Sequence, residues 1–262
     1  MEQVQTRKKT RIFAVCGKGG VGKTSLSAVI VKLLCENKQA RILAIDADPA
    51  VGLASALGMP VKKTIDDIRT SLIERVKAGE NSDKEAMLTL LDYEVFEAIS
   101  EQDNLGLLAI GRPETEGCYC RVNYFLKDII KSTAHHFDFV VIDGEAGIEQ
   151  INRRVMETVD YLVLVSDASA KGLNVAKDIV EVSRDAVKFE KAMLILNRIR
   201  SPEEAERISG RTDLAMAGWI PEDELVREFD IEGRSILELP ETEAMGAARR
   251  ALNSFQDSRE TP

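Results

Sequence analysis

The sequence predicts an α/β protein: a doubly wound, mostly parallel sheet of about seven strands with helices on both faces. Three observations predict it. Seven short apolar runs are nearly continuous rather than alternating, the pattern of strands buried on both sides. Helical stripes separate them, and alternation of strand and helix with right-handed crossovers winds a sheet whose ligands sit beyond the carboxyl ends of its strands. The chain has 262 residues, 44% hydrophobic and 30% charged, the composition of an ordinary globular protein. A single domain over residues 1–262 is expected.

The strand runs are 12–16, 42–45, 105–110, 139–142, 161–165, 193–196 and 215–220. Leu26, Val29, Ile30, Leu33 and Leu34 form the stripe of a first helix, and Leu173, Ala176, Val180 and Val187 that of a later one. Residues 61–104 interrupt the rhythm. They hold no evident strand, only charged, helix-prone stretches at 65–77 and 84–99 around a turn at 79–83. We read them as a helical insertion on the ligand face, with plain crossover packing as the alternative. The tail after about residue 258 is expected to fray.

A net charge of -9 has the wrong sign for a protein that lives on phosphate backbones, so no nucleic-acid partner is expected. No apolar run approaches the ~18 residues that a bilayer-spanning helix needs, and the first eleven residues lack the apolar core of a signal peptide. A cytoplasmic protein without a membrane partner is the expectation. Four cysteines are too few for a disulfide scaffold.

Directly after the first strand run comes Gly17-Lys18-Gly19-Gly20-Val21-Gly22-Lys23-Thr24, followed by Ser25 and the first helix. This is the Gly-x-x-x-x-Gly-Lys-Thr phosphate-binding loop in its strand-to-helix context. Glycines let the backbone curl so that successive amides and the positive helix end face phosphate. Lys23 is then placed to reach the β and γ phosphates, and the Thr24 hydroxyl to ligate Mg²⁺. Asp46 and Asp48 close the second run, and Asp143 closes 139–142 in the form of a carboxylate that holds Mg²⁺ through water. Asp46 and Asp143 are the expected carboxylates of the metal site.

The second lysine of the loop, Lys18, completes the pattern Lys-Gly-Gly-x-Gly-Lys-Thr. Across nearly the whole chain the sequence resembles the deviant Walker A class of dimeric ATPases, which includes MinD, ParA and the nitrogenase iron protein. The resemblance implies ATP or ADP on Gly19, Gly20, Val21, Gly22, Lys23, Thr24 and Ser25. It further implies that Lys18 crosses a homodimer interface to the partner's phosphates and that Asp48 orients the attacking water. Asn197 and Pro221 match positions that surround adenine in that class. Where many relatives carry Asp-Thr-Pro, this chain has Asp143-Gly144-Glu145, which leaves Glu145 either a switch carboxylate or a helix cap.

Cys118 and Cys120 lie in Gly111-Arg-Pro-Glu-Thr-Glu-Gly117-Cys118-Tyr-Cys120-Arg121-Val-Asn, at the same sheet edge as the phosphate-binding loop. Read alone, Cys-x-Cys is either two small loop residues or half of a thiolate site, since closed thiolate sites want four ligands and a twofold dimer supplies four. The longer phrase, with Leu91-Asp-Tyr-Glu-Val-Phe96 before it, resembles the CooC-type accessory ATPases of carbon monoxide dehydrogenase and acetyl-CoA synthase. That resemblance implies Ni²⁺ or Zn²⁺ at a shared cysteine site and a nickel enzyme as client. Cys16, Cys35, His135 and His136 are set aside as ligands. The alternatives are a positioning ATPase of the MinD or ParA kind and an iron-sulfur electron-transfer ATPase like the nitrogenase iron protein.

Overall fold

The continuous apolar runs fold as the inner strands of one sheet. The structure is a computed structural model that describes residues 9–78, 84–112, 120–144 and 155–256. Its strands are β1 (Arg11–Gly17), β2 (Ile42–Asp46), β3 (Ser100–Gln102), β4 (Leu105–Ala109), β5 (Phe139–Asp143), β6 (Thr158–Ser166), β7 (Lys188–Ile199) and β8 (Met216–Pro221). Their order is β3-β4-β2-β5-β1-β6-β7-β8, and every neighbouring pair is parallel except β3 and β4.

The helices, in chain order, are α1 (Lys23–Cys35), α2 (Gly52–Leu57), α3 (Ile65–Lys77), α4 (Lys84–Ala98), α5 (Cys120–Ala134), α6 (Ala170–Ala186), α7 (Pro202–Ser209), α8 (Glu224–Glu232) and α9 (Glu243–Gln256). Alternate residues of the parallel strands feed opposite cores. Phe13 and Val15 of β1 pack with residues of α1, α2, α8 and α9, whereas Ala14 and Cys16 pack with residues of α3 to α7. An aromatic cluster pins α9 to the sheet: the Phe13 and Tyr161 ring centroids are 4.7 Å apart, and Phe255 lies edge-on to both.

The expectation that residues 61–104 contain no strand is corrected by β3. It pairs antiparallel with β4 at the sheet's edge and makes the sheet eight-stranded. Three residues, two of them exposed and polar, are too few to show a period. The helical stretches 65–77 and 84–99 correspond to α3 and α4. Cys118, Glu145 and the tail after 258 lie outside the described residues, as does the side chain of Cys120. Among the described residues no helix is long and apolar enough to cross a membrane.

Candidate active site

The seven strands joined by parallel pairings point their carboxyl ends the same way, so the loops after β1, β2 and β5 converge. The loop after β1 begins against the sheet itself: a Cβ at Gly17 would lie 2.2 Å from the Val165 carbonyl oxygen of β6. It ends at Gly22, whose φ of 88° makes it the N-cap of α1. There α1 differs from its neighbours. Ser169, Ser201 and Asp223 cap α6, α7 and α8 with side-chain oxygens, but α1 has no side-chain cap and no acidic residue in its first turn. Its leading amides and positive dipole end are left for an anion.

Lys23 is buried and its Nζ donates to the Lys18 carbonyl at 3.3 Å. Lys18 in turn pairs with Asp167, which follows β6, at 3.4 Å. Asp46 and Asp143 stand in register on β2 and β5, both fully buried. Burial is the chief reason that each carboxyl is pushed up to about 6. Bonds from Thr24 and Ser27 oppose the rise at Asp143, and the Ser27 hydroxyl donates to its Oδ1 at 2.8 Å. The other oxygen of Asp143, Oδ2, is buried with no hydrogen-bond partner among the described residues. An orphaned carboxylate oxygen beside a threonine hydroxyl, at an uncapped helix end, fits a hydrated hard cation such as Mg²⁺.

Asp46 is held by backbone amides. It accepts from the amides of Leu53 and Ala54 at 2.8 and 3.1 Å on Oδ2, and from Asp48 at 3.2 Å on Oδ1. It thereby anchors the turn carrying Asp48 and caps α2. Asp48 is partly exposed, accepting from Ala50 at 2.8 Å. Val51 ends that turn with a φ of 55°, a strained conformation for a β-branched residue, and Gly52 follows against the Thr24 side chain.

Asn197 and Pro221 come together at a cavity of about 310 Å³ that opens beside Ser25 and Leu26 of α1 and is closed by α8 and α9. Asn197 is also bonded to the phosphate-binding loop, Nδ2 donating to the Val21 carbonyl at 2.9 Å. Lys18, Lys23, Thr24, Asp46, Asp48 and Asp143 therefore share one edge of the sheet, with the cavity adjoining. Sequence reasoning missed Ser27, Asp167 and Arg198. Ser27 is a polar residue inside an apolar helical stripe and Asp167 a fourth strand-end aspartate, so both carried a signal; Arg198 carried none. Cys16 is buried beneath the loop and Cys35 half-buried, with burial pushing their thiols up to about 12 and about 11. No cluster of three or more His, Cys, Asp or Glu side chains that could hold a metal occurs among the described residues.

Residues 10–194 match the AAA domain family. The chain is 40% identical over 237 residues to an uncharacterized ATP-binding protein of Methanocaldococcus jannaschii, covering 88% of this chain and 92% of that one. It is 30% identical over 237 residues to the carbon monoxide dehydrogenase accessory protein CooC of Rhodospirillum rubrum, covering 87% and 89%. Among solved structures it resembles the septum site-determining protein MinD of Pyrococcus horikoshii complexed with Mg-ADP, with a TM-score of 0.66, 24% identity and coverage of 95% and 96%. The chain belongs to the AAA domain family, and its fold is the one that MinD adopts.

Proposed function

We propose that this ATPase is a metallochaperone that dimerises with ATP and delivers nickel to a carbon monoxide dehydrogenase or acetyl-CoA synthase. One observation carries the reading: in the sequence the Gly117-Cys118-Tyr119-Cys120-Arg121 phrase follows β4, a strand whose carboxyl end lies on the same sheet edge as the phosphate-binding loop, and its last two residues open α5. The likeness to the accessory protein of Rhodospirillum rubrum supports it.

In this reading the α1 amides and Lys23 bind the phosphates of ATP, and the cavity beside Asn197 and Pro221 takes the adenine. Thr24 and Asp143 would hold Mg²⁺, which when bound neutralises charge on the β and γ phosphates. Asp46 keeps the Asp48 turn in place, and Asp48 orients the water that attacks the γ phosphate. Lys18 leaves Asp167 to reach the partner's phosphates across the twofold axis. The same axis brings Cys118 and Cys120 of both chains together as four thiolates, a complete shell for Zn²⁺ or for the Ni²⁺ being delivered.

The test is equilibrium titration of Ni²⁺ and Zn²⁺ into the parent and into the Cys118→Ser/Cys120→Ser variant, with and without ATP. One ion per dimer in the parent, lost in the variant while ATP binding persists, supports the shared site; one ion per monomer, or unaltered affinity in the variant, refutes it. The structural likeness to MinD favours a second reading, a positioning ATPase. That reading predicts no stoichiometric metal and an ATP-dependent association with vesicles or another surface.

A further inference from the structure

Strand β7 does not run straight to its end. Its register against β8 shifts between Leu196 and Ile199, and within the offset Arg198 takes a φ of 59°, a left-handed conformation that residues other than glycine rarely adopt. A regular strand would send consecutive side chains to opposite faces. Here both turn toward the phosphate-binding loop. Asn197 Nδ2 donates to the Val21 carbonyl at 2.9 Å, and Arg198 Nη1 to the Gly20 carbonyl at 3.2 Å. A Cβ at Gly22 would lie 2.5 Å from Asn197 Nδ2 and 3.6 Å from Arg198 Nη2, so the two side chains lie close against the loop. Both also line the 310 Å³ cavity.

Peptide planarity gives these two bonds a direction. In a trans peptide the carbonyl of one residue and the amide of the next point opposite ways. A Gly20 carbonyl held toward β7 turns the Val21 amide away from the strand, and a held Val21 carbonyl does the same to the Gly22 amide. Backbone strain persists where surrounding contacts over-determine it, and Arg198 is strained where its side chain meets the loop.

We propose that Arg198 is a positioning residue for phosphate binding: by holding the Gly20 carbonyl it aims the Val21 amide at the phosphates. The proposal rests on the reading of this loop as the ATP site. In this role the guanidinium acts on the loop backbone. It sets the shape of a loop whose glycines leave the backbone free to turn.

The experiment is calorimetric titration, in Mg²⁺ buffer, of ATP, inorganic tripolyphosphate and adenosine into the parent, Arg198→Met, Arg198→Gln and Lys23→Ala. Arg198→Met should weaken ATP and tripolyphosphate by the same factor, about fivefold to tenfold, the value of one ordinary hydrogen bond. Adenosine should change by less than about twofold, and the melting temperature should hold. Arg198→Gln keeps an N–H donor without the charge and should recover part of the loss. Tripolyphosphate bound by Arg198→Met as tightly as by the parent overturns the proposal, as does a loss confined to adenosine. Lys23→Ala keeps the two readings apart. If it binds ATP and tripolyphosphate as the parent does, the loop assignment itself has failed; if it binds neither while Arg198→Met binds both normally, only the role of Arg198 has.

Discussion

Replacing Asp143 by asparagine should stabilise the nucleotide-free protein while destroying its response to Mg²⁺ and ATP. Asp143 and Asp46 are fully buried side by side, and burial raises each from 3.8 to about 6. Between those values the folded chain holds protons that the unfolded chain has released, so stability falls as pH rises through the window and the whole cost is present above it. For one carboxylate a rise from 3.8 to about 6 corresponds to about 3 kcal/mol. Asparagine removes the charge and keeps an acceptor for Ser27, but places an amide N–H where Oδ2 has no partner, returning ~1–2 kcal/mol of that gain. The net is on the order of 1–2 kcal/mol, or about 3–6 °C in melting temperature for a chain of this size. Thermal unfolding at pH 7.5 in chelator reads it directly. The difference between variant and parent should shrink as pH is lowered toward 5, and Mg²⁺ with ATP should raise the melting temperature of the parent alone. A variant no more stable than the parent, or one stabilised equally by Mg²⁺ and ATP, would refute the reasoning.

Lys23→Ala should lose ATP binding by calorimetry, because its ammonium is the cation buried at the uncapped end of α1. Asp48→Ala should bind ATP normally and accumulate an ATP-bound dimer that does not turn over; a monomer by light scattering, or unchanged phosphate release, contradicts that role. Asp167→Asn should free Lys18 from its 3.4 Å pair. The pair is about a third exposed and worth less than ~1 kcal/mol, so the ATP-dependent dimer should gain at most about fivefold by sedimentation, and a weaker dimer would contradict the pairing's role.

Much of the architecture was legible because burial on both faces writes itself into composition: β1, β2, β5 and β6 read as unbroken apolar runs, and α3 stands at the residues its pattern marked. The short β3 was not legible, since its pairing comes from lying beside β4 and not from its own residues. At the site, the phosphate-binding loop and its aspartates were visible as motifs, but their division of labour was not. Nothing in Asp46-Ala-Asp48 says that the first carboxylate would be engaged by the α2 amides, which lie seven and eight residues away in the chain. Arg198 is the extreme case, because a left-handed residue at a bulge has no local sequence signature when it is not glycine or asparagine.

The tight seat of Gly17 bears on how loss-of-function alleles of this protein are to be interpreted. Any side chain there would meet the Val165 carbonyl and prise β1 from β6, the ladder that runs through the middle of the sheet. A substitution at this glycine removes the scaffold together with the nucleotide, and its phenotype reports absence of the protein. Lys23 has no such double duty: among the described residues its ammonium donates to a loop carbonyl and faces the Asp143 carboxylate, so changing it leaves a folded chain that lacks one cation. For geneticists the two ends of one motif are different instruments, the first a deletion in effect and the second a probe of ATP dependence.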